Sequence, residues 1–276
     1  MHSLVSQARL RTNLTSWLLF ASACQAFAIG LRFSPLNFSI QAKPGQVVNK
    51  VFTLSLPPNA SATQFRAHLE DWWRSEDNRQ TFYAVPGTIR RSCASWCTIN
   101  PVESLVKPGE TLTIKLSIKV PDSVEPGGYW CALTVDEVPD PLSPKLEGVA
   151  MVFRTSVSVG IFVQIPPCER SAKLVAVRID GDRVAVKMRN DGNTPLKITG
   201  TIEFYKLGED KPTAVVRMGA EPLLPEPMNT CEFSTPLPSP KELPSGLYKV
   251  RVIMDAGLDY LMGAEKELEI ARADTS

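Results

Sequence analysis

The chain of 276 residues sets 30 Lys+Arg against 29 Asp+Glu, with 43% hydrophobic residues, 23 prolines and 16 glycines. A chain this apolar buries a core rather than staying disordered, and so even a charge balance excludes a nucleic-acid binder that works through a basic face. The length suits two domains of common size, and two histidines, His2 and His68, leave little material for hydrolase or metal chemistry.

Arg9 and Arg11 form a positive start with no acid in the first 28 residues, and the apolar run Leu14–Ala21 follows. Ala26-Phe27-Ala28 then matches the small-x-small cleavage rule, which predicts a secretory signal peptide over residues 1–28. The run falls short of the ~20 residues that span a bilayer, and no later segment is long and apolar enough to do so. Ala21-Ser22-Ala23-Cys24 is a poor lipobox, so acylation at Cys24 is the lesser alternative. The exported chain is expected to be periplasmic.

From there on, period-two alternation recurs and helical periodicity is nearly absent. Phe52, Leu54 and Leu56 alternate with polar residues, as do Leu112, Ile114, Leu116, Ile118 and Val120. Val184, Val186 and Met188 repeat the pattern, and Tyr248, Val250, Val252 and Met254 repeat it again. Each run predicts a strand with one face on a core. Pro/Gly clusters such as Lys43-Pro44-Gly45, Lys107-Pro108-Gly109 and Pro244-Ser245-Gly246 reverse the chain between them. Short strands with regular turns predict an all-β protein of two immunoglobulin-like β-sandwich domains. Trp72, Trp73 and Trp96 are the large core-filling candidates of the first.

Ile165-Pro166-Pro167-Cys168 reads as a short, stiff joint, which divides the chain into domains over 29–166 and 167–276. A shared spacing supports the division: Pro108 precedes Tyr129 by 21 residues, and Pro227 precedes Tyr248 by 21. Just before the joint, alternation persists from Val149 to Ile165, through Met151, Phe153, Val157, Val159, Ile161 and Val163. At about 3.3 Å per residue an unbroken strand of that length would run roughly 50 Å, far beyond the common ~20 Å. Such a strand can exceed its own core and offer an edge to a partner.

Five cysteines follow the signal peptide, an odd number that leaves at least one thiol outside any intramolecular disulfide. If Ser92–Thr98 is a strand, Cys93 and Cys97 stand ~13 Å apart, too far to bridge. The spacing is compatible with Cys97–Cys131 and Cys168–Cys231 bridges, and equally with small buried thiols.

An exported pair of such domains, with a long alternating strand ahead of a Pro-rich joint, resembles the periplasmic pilus-assembly (PapD-like) chaperones. In sequence the resemblance is best over Ser92–Ile165, through Ser92-x-x-x-Trp96, Asn100-Pro101, Lys107-Pro108-Gly109-Glu110 and Gly127-Gly128-Tyr129. It implies that the last strand of the first domain is lent to a secreted, pilin-like subunit by β-augmentation, with an outer-membrane usher further along the assembly route. Val157, Val159, Ile161 and Val163 would be the lending residues, and they would equally serve a core of their own. The family also anchors a subunit carboxylate with one basic residue from its first strand and one from its last. Here the candidates for that role are Arg32 and Arg154, and the last strand departs from the family in having no Lys.

Catalytic and metal motifs are sparse. His68 lies on an alternating stretch with Arg66, Glu70 and Trp72 on its face, without an evident triad. Cys93-x-x-x-Cys97 lacks zinc spacing, and Asp180-Gly181-Asp182 reads as a tight turn rather than a calcium loop. Arg90-Arg91 is far below a nucleic-acid footprint. The expectation is therefore a non-enzyme with no metal, no cofactor, no small-molecule substrate and no nucleic-acid partner. Its leading reading is a chaperone-like binder of a secreted subunit. The alternative is a structural or adhesion module of the cell envelope.

Overall fold

The computed structural model describes residues 31–35, 37–138, 155–227 and 229–272. The signal peptide expected over 1–28, Cys24, Val149, Met151, Phe153 and Arg154 lie outside the described residues.

Two immunoglobulin-like β-sandwiches follow one another. In the first, one sheet runs in the order β1 (Arg32–Ser34), β3 (Val47–Ser55), β8 (Thr111–Lys119) and β6 (Cys97–Asn100). The facing sheet runs β2 (Asn37–Gln41), β10 (Ser156–Ile165), β9 (Gly127–Val138), β4 (Thr63–Arg74) and β5 (Gln80–Tyr83), and β7 (Glu103–Val106) joins the start of β4. In the second sandwich, β11 (Ala172–Asp180), β12 (Arg183–Asn190) and β15 (Thr230–Pro236) face a sheet of β14 (Ala214–Leu223), β13 (Leu196–Lys206), β16 (Gly246–Asp255) and β17 (Met262–Ile270).

The predicted alternation is what fills the cores. Phe52 and Leu54 from β3 meet Ile114, Leu116 and Ile118 from β8, all at most 1% exposed. Val184, Val186 and Met188 face Val252 and Met254 across the second core. Burying each such side chain contributes roughly 1.5–3 kcal/mol, which makes one-sided alternation the main determinant of these strands. Turns fall where Pro and Gly stand. Gly181 takes φ +57° in the hairpin between β11 and β12, as the tight-turn reading of Asp180-Gly181-Asp182 requires.

Two expectations are corrected. Trp72 does not fill the first core: it points from the opposite face of β4 and joins Trp130, Ala132 and Leu224 in a third cluster, against which Trp73 packs. Only Trp96 packs on the first core, its ring centroid 4.6 Å from that of Tyr129. Ser92–Thr98 is not a continuous strand either. A 3-10 turn occupies Ala94–Trp96, closed by the Trp96 N–H on the Cys93 carbonyl (3.0 Å). The turn draws Cys97 back towards Cys93, and both meet Cys131 of β9, with the three sulfurs within 4.8 Å of one another. Cys93 and Cys131 stand 3.3 Å apart, sulfur to sulfur. Of the two readings the cysteine spacing left open, the structure has the thiols: all five described cysteines are free. Cys168 lies by the Ile165 carbonyl at the joint, whereas Cys231 lies by Asn78 of the β4–β5 turn, so the Cys168–Cys231 bridge is not made.

Candidate functional site: a half-covered strand edge beside the interdomain cleft

Strand β10 is central over one half and peripheral over the other. On one side it pairs with β9 along its full length, from Ser156↔Asp136 to Ile165↔Gly127. On the other side β2 runs parallel to it only from Gly160↔Asn37 to Gln164↔Gln41. Beside Ser156–Val159 no strand pairs among the described residues.

The backbone directions follow from two hydrogen bonds. The Glu137 N–H donates to the Thr155 carbonyl across β9, and the Ala42 N–H donates to the Gln164 carbonyl on the β2 side. Neighbouring residues of a strand point their main-chain groups to opposite sides. The N–H and C=O groups of Ser156 and Ser158 therefore face the bare edge, a ready template for another strand. The chain itself creates this half-covered state. Its first strand starts in one sheet as β1, paired with β3, then crosses to the other as β2.

The side chains of β10 divide by face. Val159, Ile161 and Val163 are fully buried in the domain's own core, so they are not free to enter a partner. Val157 sits where that core ends, half-buried and opposite Val135. The other face carries Ser156, Ser158, Gly160, Phe162 and Gln164. Its outer end is polar. Ser156 donates to Asp136 (2.6 Å), Ser158 shares a 2.8 Å hydrogen bond with Thr134, and Thr134 bonds Glu70. His68 lies between Glu70 (3.8 Å) and Asp136 (3.5 Å), an imidazole flanked by two carboxylates.

Towards the second domain the same face turns apolar and forms one wall of a cleft of about 380 Å³. Phe162 packs edge-on to Trp72 there, with centroids 5.9 Å apart. Asn37 and Ser39 of β2 also reach the cleft, and Lys197, Glu221 and Pro222 line its far side. Two contacts fix the walls relative to each other. Arg74 of β4 bonds Glu221 at 2.6 Å and Asn78 at 2.5 Å, and Glu76 in the β4–β5 turn pairs with Lys187. At the joint, the Gly128 N–H donates to the Asn193 carbonyl (2.8 Å), with Thr194 and Pro195 pressed against its Cα.

Arg32 lies away from the cleft, and Arg154, its partner in the sequence reading, lies outside the described residues. Arg32 is exposed on β1, opposite Ser55 in the other sheet, while the first-strand residues in the cleft are Asn37 and Ser39. The cleft's cations are Arg74, already held by Glu221, and Lys197, neither of which periodicity singles out. A sequence signal for the buried outer face did exist. Tyr129-Trp130-Cys131-Ala132-Leu133 breaks alternation, as a strand covered on both faces does, and Phe162 interrupts the polar positions of β10. Among the thiols, burial pushes those of Cys93 and Cys131 well up. Hydrogen bonds from these two neighbours hold Cys97 down to about 5. Burial raises Cys231 to about 12.

No protein-family model matches the chain, and no curated protein matches it in sequence. The solved structures it resembles are mostly fimbrial chaperones. The YadV chaperone is 14% identical, with 87% of this chain and 99% of that one covered and a TM-score of 0.46. A complex of the Salmonella enterica SafA pilin with the SafB chaperone gives 12%, 86%, 97% and 0.46 on the same measures. The Pseudomonas aeruginosa CupB2 chaperone gives 14%, 84%, 98% and 0.43.

Proposed function

We propose that this chain is a non-catalytic periplasmic chaperone that holds a secreted, pilin-like subunit by strand addition along β10 and delivers it to an outer-membrane usher. The observation that carries the reading is the edge of Ser156–Val159, unpaired among the described residues, in line with β2 and next to a cleft. A subunit strand laid there would bond the main-chain groups of Ser156 and Ser158. It would also extend the inner apolar face past Val157, the one of the four candidate lending residues at the limit of the domain's core. Lys197 is the cleft cation without an ion pair among the described residues, and it would meet a carboxylate from the guest. No helix among the described residues is long and apolar enough to cross a membrane.

The test is capture of a subunit by the tagged protein in the periplasmic fraction, read by mass spectrometry at fixed stoichiometry. Ser158→Pro removes an N–H that faces the bare edge and leaves the β9 ladder intact, a position that tolerates proline. The expected outcome is loss of the co-purifying subunit in Ser158→Pro, with a cooperative melt retained and with Ser158→Ala still capturing. A wild-type protein that elutes as a bare monomer or homodimer would refute strand addition and leave the envelope structural module as the reading.

A further inference from the structure

The cluster of Cys93, Cys97 and Cys131 has no part in strand addition. Its thiols come from three separate places in the fold: the loop before the 3-10 turn, β6 of one sheet and β9 of the facing sheet. Their sulfurs nevertheless converge within 4.8 Å of one another, with Cys93 and Cys131 at 3.3 Å. Three sulfurs about 2.3 Å from a central ion stand roughly 4 Å apart in a trigonal plane, so the Cys93–Cys131 pair, at 3.3 Å, opens by about 0.7 Å to admit one.

The donor set points to the class of ion. Among the described residues no histidine, carboxylate or fourth thiol joins the group. Structural zinc takes four ligands, and three-ligand zinc keeps a water in its open position. Here Cys93 and Cys131 are fully buried and Cys97 is 9% exposed, in a pocket closed by apolar side chains. A dry, all-sulfur, three-donor site suits a soft ion that is content with three thiolates. Cys97, the least buried, gives the ion its way in. We propose that Cys93, Cys97 and Cys131 form a three-thiolate site for Cu(I) that ties the two sheets of the first sandwich together. On binding, each ligating thiol gives up its proton to solvent and copper stays in the Cu(I) state, so no electron is exchanged.

The test uses the exported chain, without residues 1–28, purified anaerobically and carrying Cys168→Ser to remove the half-exposed thiol. Cu(I) is titrated in competition with a chromogenic Cu(I) chelator, and Zn(II) is titrated in parallel. The expected result is one Cu(I) per chain, a raised Tm on loading, and at least 100-fold weaker binding in Cys97→Ser. X-ray absorption of the loaded wild-type chain reports independently of any variant's folding, and a shell of three sulfurs without nitrogen or oxygen is expected. The proposal is overturned if the chelator keeps the copper, if Cys97→Ser binds as well as the parent, or if zinc is held as tightly as Cu(I). Isolation of the native protein with a Cys93–Cys131 disulfide would overturn it too.

Discussion

Gly128 illustrates how a single atom governs the approach of the two domains. A Cβ there would collide with Pro195 and Thr194 of the second domain, and its N–H is already committed to Asn193. Gly192 is confined in the same way on the other side of the joint, against the Glu169 carbonyl. Overpacking of this kind costs about 1–3 kcal/mol. Gly128→Ala is therefore expected to lower the Tm and widen the molecule in small-angle scattering. Gly219→Ala, where a Cβ meets nothing within 4 Å, serves as the neutral control. An unchanged scattering profile and Tm for Gly128→Ala would show that the joint yields freely.

At the level of the element, β10 changes character along its length, and substitutions should report the change. Ile161→Ala removes a fully buried side chain and is expected to cost about 2–5 kcal/mol in denaturant unfolding of the first domain. Val159→Lys would set an unpaired charge in the same core and should abolish the cooperative melt. Val157→Ala, at the limit of the core, should cost less than about 1 kcal/mol. Equal losses at 157 and 161 would contradict the described boundary of the core. The period of two revealed this strand from sequence because one of its faces is apolar throughout. Where the core ends along it was not legible, because Val157 and Val159 are the same residue in the same alternation and only the facing strands distinguish them. The cysteine cluster was hidden for a different reason. A stretch read as extended shortens through a three-residue turn, and the third sulfur comes from a strand more than 30 positions away. Arg32 lies in the sheet of β1 and β3 because the chain crosses to β2 only after it, a placement that no local spacing records.

In the whole molecule, two domains with separate cores are held by a third cluster built around Trp72, Trp130 and Leu224, with the Arg74–Glu221 pair beside it. Leu224→Ala would leave a gap against two indoles, and Glu221→Ala would strip the partner from an Arg74 side chain only 11% exposed. Combined, they are expected to split one calorimetric transition into two, leaving the Glu76–Lys187 pair, the Glu232 N–H on the Glu76 carbonyl and the Gly128–Asn193 hydrogen bond as the remaining links between the cores. A single transition in the double variant would place the coupling in those links instead. The way β2 begins at Asn37 has a consequence for any chain that docks on β10. A guest strand advancing along Ser156–Val159 runs into the host's own first strand at Gly160, opposite Asn37. That obstacle works as a mechanical stop. It sets how far the newcomer can slide and so which of its residues face inwards, before any side chain has been recognised.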